Sequence, residues 1–160
     1  MKIAVRLVLL AALVALGFWL WAVLFPSPEK IILKKMAGLA AAATFKANDS
    51  PILRASQAAD VVSYFSNDAE IVVESRSLSG REEIREQAYG GFATLPGLKT
   101  SFLDVTAHVN PDQQNAEVNC TARIFVGDSK DYGVQEMRFK FKKIEGKWLI
   151  ARVETIKTLS

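Results

Sequence analysis

The residues able to do acid–base, nucleophilic or metal chemistry are few in this 160-residue chain, and they are not grouped. There is one histidine, His108, and one cysteine, Cys120. His108 follows Asp104 by four positions in a stretch that alternates apolar and polar residues. At about 3.3 Å per strand residue the two lie roughly 13 Å apart, too far for a dyad. Cys120 occupies an apolar position of NAEVNCTARIFV, with no basic neighbour on its face, so a buried inert thiol is expected. A lone histidine and a lone cysteine do not make a transition-metal site. No residue is therefore assigned a catalytic, cofactor-binding or metal-binding role. Tyr64, Tyr89, Glu74 and Arg76 are the other polar groups able to approach an interior. The tyrosines suit half-buried positions with the hydroxyl at the surface. Glu74 and Arg76 suit a loop rim.

Four period-two segments, at about 98–109, 114–127, 131–144 and 147–157, would carry Asp104, His108 and Cys120. Asn110-Pro111-Asp112, Gly127-Asp128 and Glu145-Gly146 read as the turns between them. One face of the resulting sheet would carry Leu103, Val105, Ala107, Val118, Cys120, Ala122, Ile124, Met137, Phe139, Phe141, Leu149, Ala151 and Val153. The other would carry Thr100, Asp104, Thr106, His108, Glu117, Asn119, Thr121, Arg123, Glu136, Arg138, Lys140, Arg152 and Glu154. The apolar set must face a helical layer, since only burial offsets the entropy of ordering it.

That layer is written earlier in the chain. Ser27-Pro28 opens a helix expected to reach about Lys46, with Ile32, Met36, Leu39 and Ala43 inward and Asn48-Asp49 beyond its end. Ser50-Pro51 opens a second, with Ala55, Ala59, Val62 and Phe65 inward and Asn67-Asp68 as its stop. A short strand follows at 69–74. Ser79 and Glu82 read as a capping box for a third helix that buries Ile84, Ala88 and Phe92 and closes at Gly90-Gly91.

Residues 7–25, LVLLAALVALGFWLWAVLF, carry no charge. As a helix they span roughly 28 Å, about the hydrocarbon thickness of a bilayer. Lys2 and Arg6 precede the stretch, Trp19 and Trp21 suit a membrane–water interface, and no small-x-small cleavage site closes it. A single-pass, uncleaved anchor is expected over a removed signal. Lys30, Lys34 and Lys35 flank the far end, so the charge rule for orientation has no clear winner. A short basic N-terminus favours the bulk of the chain outside the cytoplasm. The whole chain has 20 basic and 17 acidic residues. Without Lys2 and Arg6 the balance is near neutral, which argues against a nucleic-acid partner.

The order helix, helix, strand, helix, then four antiparallel strands, together with SRSLSGREEIREQA, resembles the nuclear transport factor 2-like superfamily, also called SnoaL-like or cystatin-like. The matching positions are Leu78, Gly80, Arg81, Glu82 and Ile84. GKWLIARVETI, with Trp148 just after the last hairpin, is similar to the family's final strand. The resemblance covers about residues 28–159. It implies an α+β cone, three helices packed on a curved, mainly antiparallel sheet, with a pocket inside. The expected division is an anchor at 1–26 and this domain at 27–160.

The superfamily holds isomerases, dehydratases and polyketide cyclases as well as domains without catalysis, so the fold alone does not assign an activity. The inward strand positions offer packing and no proton transfer. The expected function is a membrane-tethered, non-catalytic binding or assembly module of the cell envelope, in a bacterial inner membrane. The alternatives are a small-molecule enzyme of the polyketide cyclase or isomerase type, and a subunit of an envelope secretion machine. Tyr64, Phe65, Tyr89, Phe92, Cys120, Met137 and Phe139 are the candidate lining of a pocket for a small apolar ligand. The polar sheet face is the candidate surface for a protein partner or a homodimer.

Overall fold

Ser27 and Ser50 each start a helix by the same device. The Ser27 hydroxyl accepts the Lys30 N–H at 3.4 Å and the Ser50 hydroxyl accepts the Leu53 N–H at 3.2 Å. Pro28 and Pro51 follow at the first helical position, where no N–H is needed. In the computed structural model, which describes residues 2–156, the elements are α1 (Lys2–Leu24), α2 (Pro28–Ala42), α3 (Pro51–Ser63), β1 (Phe65–Val73), β2 (Arg76–Ser79) and α4 (Arg81–Thr94). Then come β3 (Leu98–Val109), β4 (Asn115–Val126), β5 (Tyr132–Ile144) and β6 (Lys147–Thr155). The strands form one sheet in the order β2-β1-β6-β5-β4-β3, antiparallel except where β1 runs parallel to β6. The architecture is α+β, as the sequence predicts, with one strand more.

The helix ends differ from expectation for tertiary reasons. α2 stops at Ala42, short of Lys46, because Phe45 leaves the helix to pair with Leu98, each N–H donating to the other's carbonyl. Thr44 seals the exit, its hydroxyl donating to Ala40 O at 2.8 Å and accepting the Thr100 N–H at 3.1 Å. α3 ends at Ser63, since the Tyr64 carbonyl already accepts the Ile150 N–H from β6. Phe65 therefore belongs to β1, and Asn67-Asp68 lies within that strand at a register shift. The inward residues of α3 are Ala58 and Val62, while Ala59 is exposed. β2, absent from the expected elements, closes a hairpin on β1 through Glu74, whose φ is 54°.

α4 is capped differently too. Gly80 is the N-cap, with φ at 89°, and Glu83 rather than Glu82 reaches back, accepting the Ser79 N–H at 2.7 Å. Glu82 pairs with Arg85 at 2.8 Å on the solvent side. The helix continues through Gly90-Gly91 to Thr94.

Two bulges reassign part of the sheet. In β3 the register slips at Asp104, with φ 51°, so Thr100 and Phe102 face inward before it and Val105, Ala107 and Val109 after it. Leu103 lies opposite Thr121 on the outer face and Thr100 is inward, the reverse of the plain alternation. In β6 a slip at Ala151 makes Trp148 and Ile150 the buried residues and leaves Leu149 opposite Lys142. One inserted residue turns over every side chain beyond it and bends the strand.

The main core joins Ile32, Met36 and Leu39 of α2 to Val118, Phe139 and Phe141 of the sheet. A smaller cluster of Phe45, Ala58 and Phe92 lies where α3 and α4 meet. α1 stands apart: from Val5 to Leu24 it buries nothing, and it is long and apolar enough to cross a membrane. It suggests a membrane anchor or a signal sequence.

Gly38 in α2 has a steric role. A Cβ there would collide with the Tyr64 hydroxyl oxygen, which rests on the helix at that point. Gly38→Ala would gain about 1 kcal/mol of helix propensity, against an overpacking cost of roughly 1–3 kcal/mol. The expected net result is a lower denaturation midpoint. Adding Tyr64→Phe removes the clashing oxygen and is expected to restore most of the loss. A Gly38→Ala protein more stable than the parent would contradict this packing.

Candidate functional site

The seven candidate pocket residues occupy two places. Phe65, Cys120 and Phe139 are buried in the main core, with Tyr64 and Met137 packed against it. Phe102 stands edge-on to Phe139 with ring centroids 5.5 Å apart, so aromatic rings occupy the interior at this point. Phe92 instead packs on Phe45 at 4.6 Å in the smaller cluster. Tyr89 is 39% exposed and lies, with Phe92, on a surface cleft of about 330 Å³ between the ends of α3 and α4.

Arg54 organises that cleft, and no sequence signal marked it. One terminal nitrogen of its guanidinium donates to the carbonyls of Phe92 (3.1 Å) and Leu95 (2.7 Å). The other donates to those of Lys46 and Ala47, both at 2.9 Å. Its face lies 4.8 Å from the Phe45 ring centroid. The planar fork thus serves the C-terminal carbonyls of α4 and the loop before α3 together. This explains how α4 runs past its two glycines. Asp49, also on the cleft, accepts the Lys46 N–H at 2.7 Å. Arg54 and Asp49 are thus both engaged with the protein's own backbone.

The other chemistry-bearing residues are dispersed. Burial pushes the Cys120 thiol up to about 11, which keeps it protonated and unreactive. His108 is exposed on the outer sheet face, opposite Glu117. Glu74 and Arg76 flank the β1–β2 turn, both exposed. Ser66 is the buried polar residue among those described, and it donates to Asp68 at 2.9 Å, which holds that carboxyl below its ordinary value. Among the described residues no three His, Cys, Asp or Glu side chains gather as metal ligands would.

The outer sheet face carries an ion-pair ladder. Arg138 lies 3.1 Å from Glu117 and 3.6 Å from Glu154. Glu154 also meets Lys140 at 3.6 Å and Arg152 at 2.9 Å, and Arg152 pairs with Glu70. The ladder gives way to an apolar end where Phe125 and Tyr132 pack at 5.0 Å and Val134 is 54% exposed. The hydrogen bond from Arg152, with Lys140 beside it, holds Glu154 below the ordinary 4.5. A depressed carboxyl stabilises the fold above its unfolded pKa, and that contribution is lost as pH falls through the folded value. Denaturant midpoints are therefore expected to drop below about pH 4.5. In Glu154→Gln the acid drop should be shallower, with a lower plateau at neutral pH. Identical pH profiles would show that the ladder carries no stability.

The comparisons agree with this geometry. Residues 40–154 match the family model of the SnoaL-like domain. No curated protein matches the chain. Among solved structures, an NTF2-like protein of unknown function from Pseudomonas putida is 12% identical, with 82% of this chain and 87% of that one covered and a TM-score of 0.66. From Novosphingobium aromaticivorans, a protein named as a candidate aromatic ring hydroxylase is 15% identical, with coverages of 82% and 90% and a TM-score of 0.62. A candidate scytalone dehydratase from the same organism is 14% identical, with coverages of 82% and 81% and a TM-score of 0.56. At such identities these likenesses speak for the fold. With a family model spanning most of the domain and a sheet of this order behind it, the chain belongs to the SnoaL-like domain family, built on the nuclear transport factor 2-like fold.

Proposed function

We propose that the chain is a membrane-tethered, non-catalytic binding or assembly module of the cell envelope. Residues 1–26 are its single-pass anchor and residues 27–160 its working domain, placed outside the cytoplasm of a bacterial inner membrane. The observation that carries this reading is the character of the interior. Phe65, Cys120 and Phe139 are buried in the interior with Phe102, Met137 and Tyr64 packed against them, and among the described residues no carboxylate or histidine joins that core. Acid–base catalysis needs a proton donor or acceptor within hydrogen-bond reach of a bound substrate. The exposed apolar helix ahead of the domain supports the tether.

The names of two structural neighbours keep an enzyme as the second reading, since a dehydratase would need a polar pair inside this cone. The test is turnover by the purified full chain of a panel of small aromatic and polyketide-like carbonyl compounds. No turnover is expected. Turnover that is lost in Tyr64→Phe or Tyr89→Phe would replace the module with the enzyme.

A further inference from the structure

The face of α2 turned away from the sheet has no partner among the described residues. Lys30, Leu33, Lys34, Ala37 and Ala41 are all exposed and recur at helical spacing, forming one stripe along the helix. Leu33 is 39% exposed, although it is a large apolar residue. The opposite face, Ile32, Met36 and Leu39, is buried in the core. Lys35 is not part of the stripe: its ammonium lies 5.7 Å from the Tyr64 ring centroid.

The segment that carries the stripe is net basic, with Lys30 and Lys34 on the stripe itself. Residues 28–54 carry Lys30, Lys34, Lys35, Lys46 and Arg54 against Glu29 and Asp49, while the rest of the domain has a slight acidic excess. The connection to α1 is short. Residues 25–27 separate Leu24 from Pro28, so the link reaches at most about 14 Å at ~3.5 Å per residue. A headgroup layer is about 5–7 Å thick on each side of the hydrocarbon. Pro26 and the extended Ser27, with ψ at 149°, interrupt the helical path and let α2 leave the axis of α1.

We infer that α2 lies along the membrane surface through this stripe. Lys30 and Lys34 meet anionic lipid headgroups, and Leu33 and Ala37 enter the interfacial layer. The occupant is lipid because the stripe begins within six residues of the end of the span and its charge is complementary to a leaflet that holds anionic lipid such as phosphatidylglycerol. In this pose the outer sheet face, with its ion-pair ladder and apolar end, points to the aqueous phase. The inference rests on the tethered reading above.

The test uses the full chain in vesicles of phosphatidylcholine with phosphatidylglycerol. Nitroxide labels are attached through Leu13→Cys in α1, Leu33→Cys and Ala37→Cys on the stripe, and Thr106→Cys on the outer sheet face. Cys120 stays native because its thiol is buried and unreactive. Collision with a water-soluble nickel complex and with oxygen reads the depth of each label. The labels at 33 and 37 are expected to lose nickel accessibility relative to 106 while keeping that of oxygen. Lys30→Glu with Lys34→Glu, or vesicles of phosphatidylcholine alone, should return them toward the value at 106. If 13 reads membrane depth while 33 and 37 match 106, the tether stands and the docked helix is wrong. If 13 also reads water, both fall. Dipolar broadening between labels at 33 would assign the stripe to a second copy, and equal protection in phosphatidylcholine would refute the anionic headgroup contact.

Discussion

Phe139→Ala is expected to lower the unfolding free energy by about 3–5 kcal/mol, the usual cost of removing an aromatic ring from a packed core. Phe139 is 3% exposed, opposite Val118 on one neighbouring strand and Val153 on the other, with Phe102 edge-on to its ring. Truncation would leave a cavity that neither strand can close without breaking register. Arg138→Ala, one residue away on the outer face, removes partly solvated ion pairs and is expected to cost under about 1 kcal/mol. Denaturant melts of the two variants measure the difference. The reverse ranking would mean that β5 is out by one residue.

The second large effect is expected at Arg54. Arg54→Ala removes the guanidinium donor from four carbonyls, two of them at the partly buried end of α4, while Lys46 O keeps the Asp49 N–H. Hydrogen bonds to a charged group contribute roughly 1.5–3 kcal/mol each, and less where water can replace the donor, as at Lys46 and Ala47. A total loss of about 3 kcal/mol is expected. Arg54→Lys keeps the charge but not the planar fork, so it should recover less than half. Hydrogen exchange should localise the effect, with faster exchange in the last turn of α4 and in the loop before α3. A loss under about 1 kcal/mol would mean that water serves these carbonyls equally well.

The sheet was the most legible part of the chain. An alternation sustained through a dozen residues marks a strand, and β3 begins and ends where the pattern does, although its register slips within it. The serine–proline pairs marked both helix starts because their caps are local. The bulges at Asp104 and Ala151 were not legible, since an inserted residue leaves no mark in composition yet turns over Leu103, Thr100 and Leu149. The end of α2 depends on a bridge from Phe45 to Leu98, which no local signal encodes. Arg54 was hidden for the same reason: two of its acceptors lie 38 and 41 residues further along the chain. The residues expected to line one pocket divide between the main core and the α3–α4 cleft, because Phe92 and Tyr89 lie on α4 away from the sheet residues Cys120, Met137 and Phe139.

Among the described residues His108 and most carboxylates are exposed, Tyr64 packs against the core, and the Cys120 thiol is buried in it. What distinguishes the chain is the apolar helix that precedes the fold. We propose that this helix holds a working domain at a membrane. Alkaline carbonate extraction of membranes from cells making the full chain tests it most directly, with the recovered protein's mass read alongside. The chain is expected to stay in the membrane pellet with a mass that still includes residues 7–25. Release into the carbonate supernatant, or a mature form lacking that segment, would contradict it.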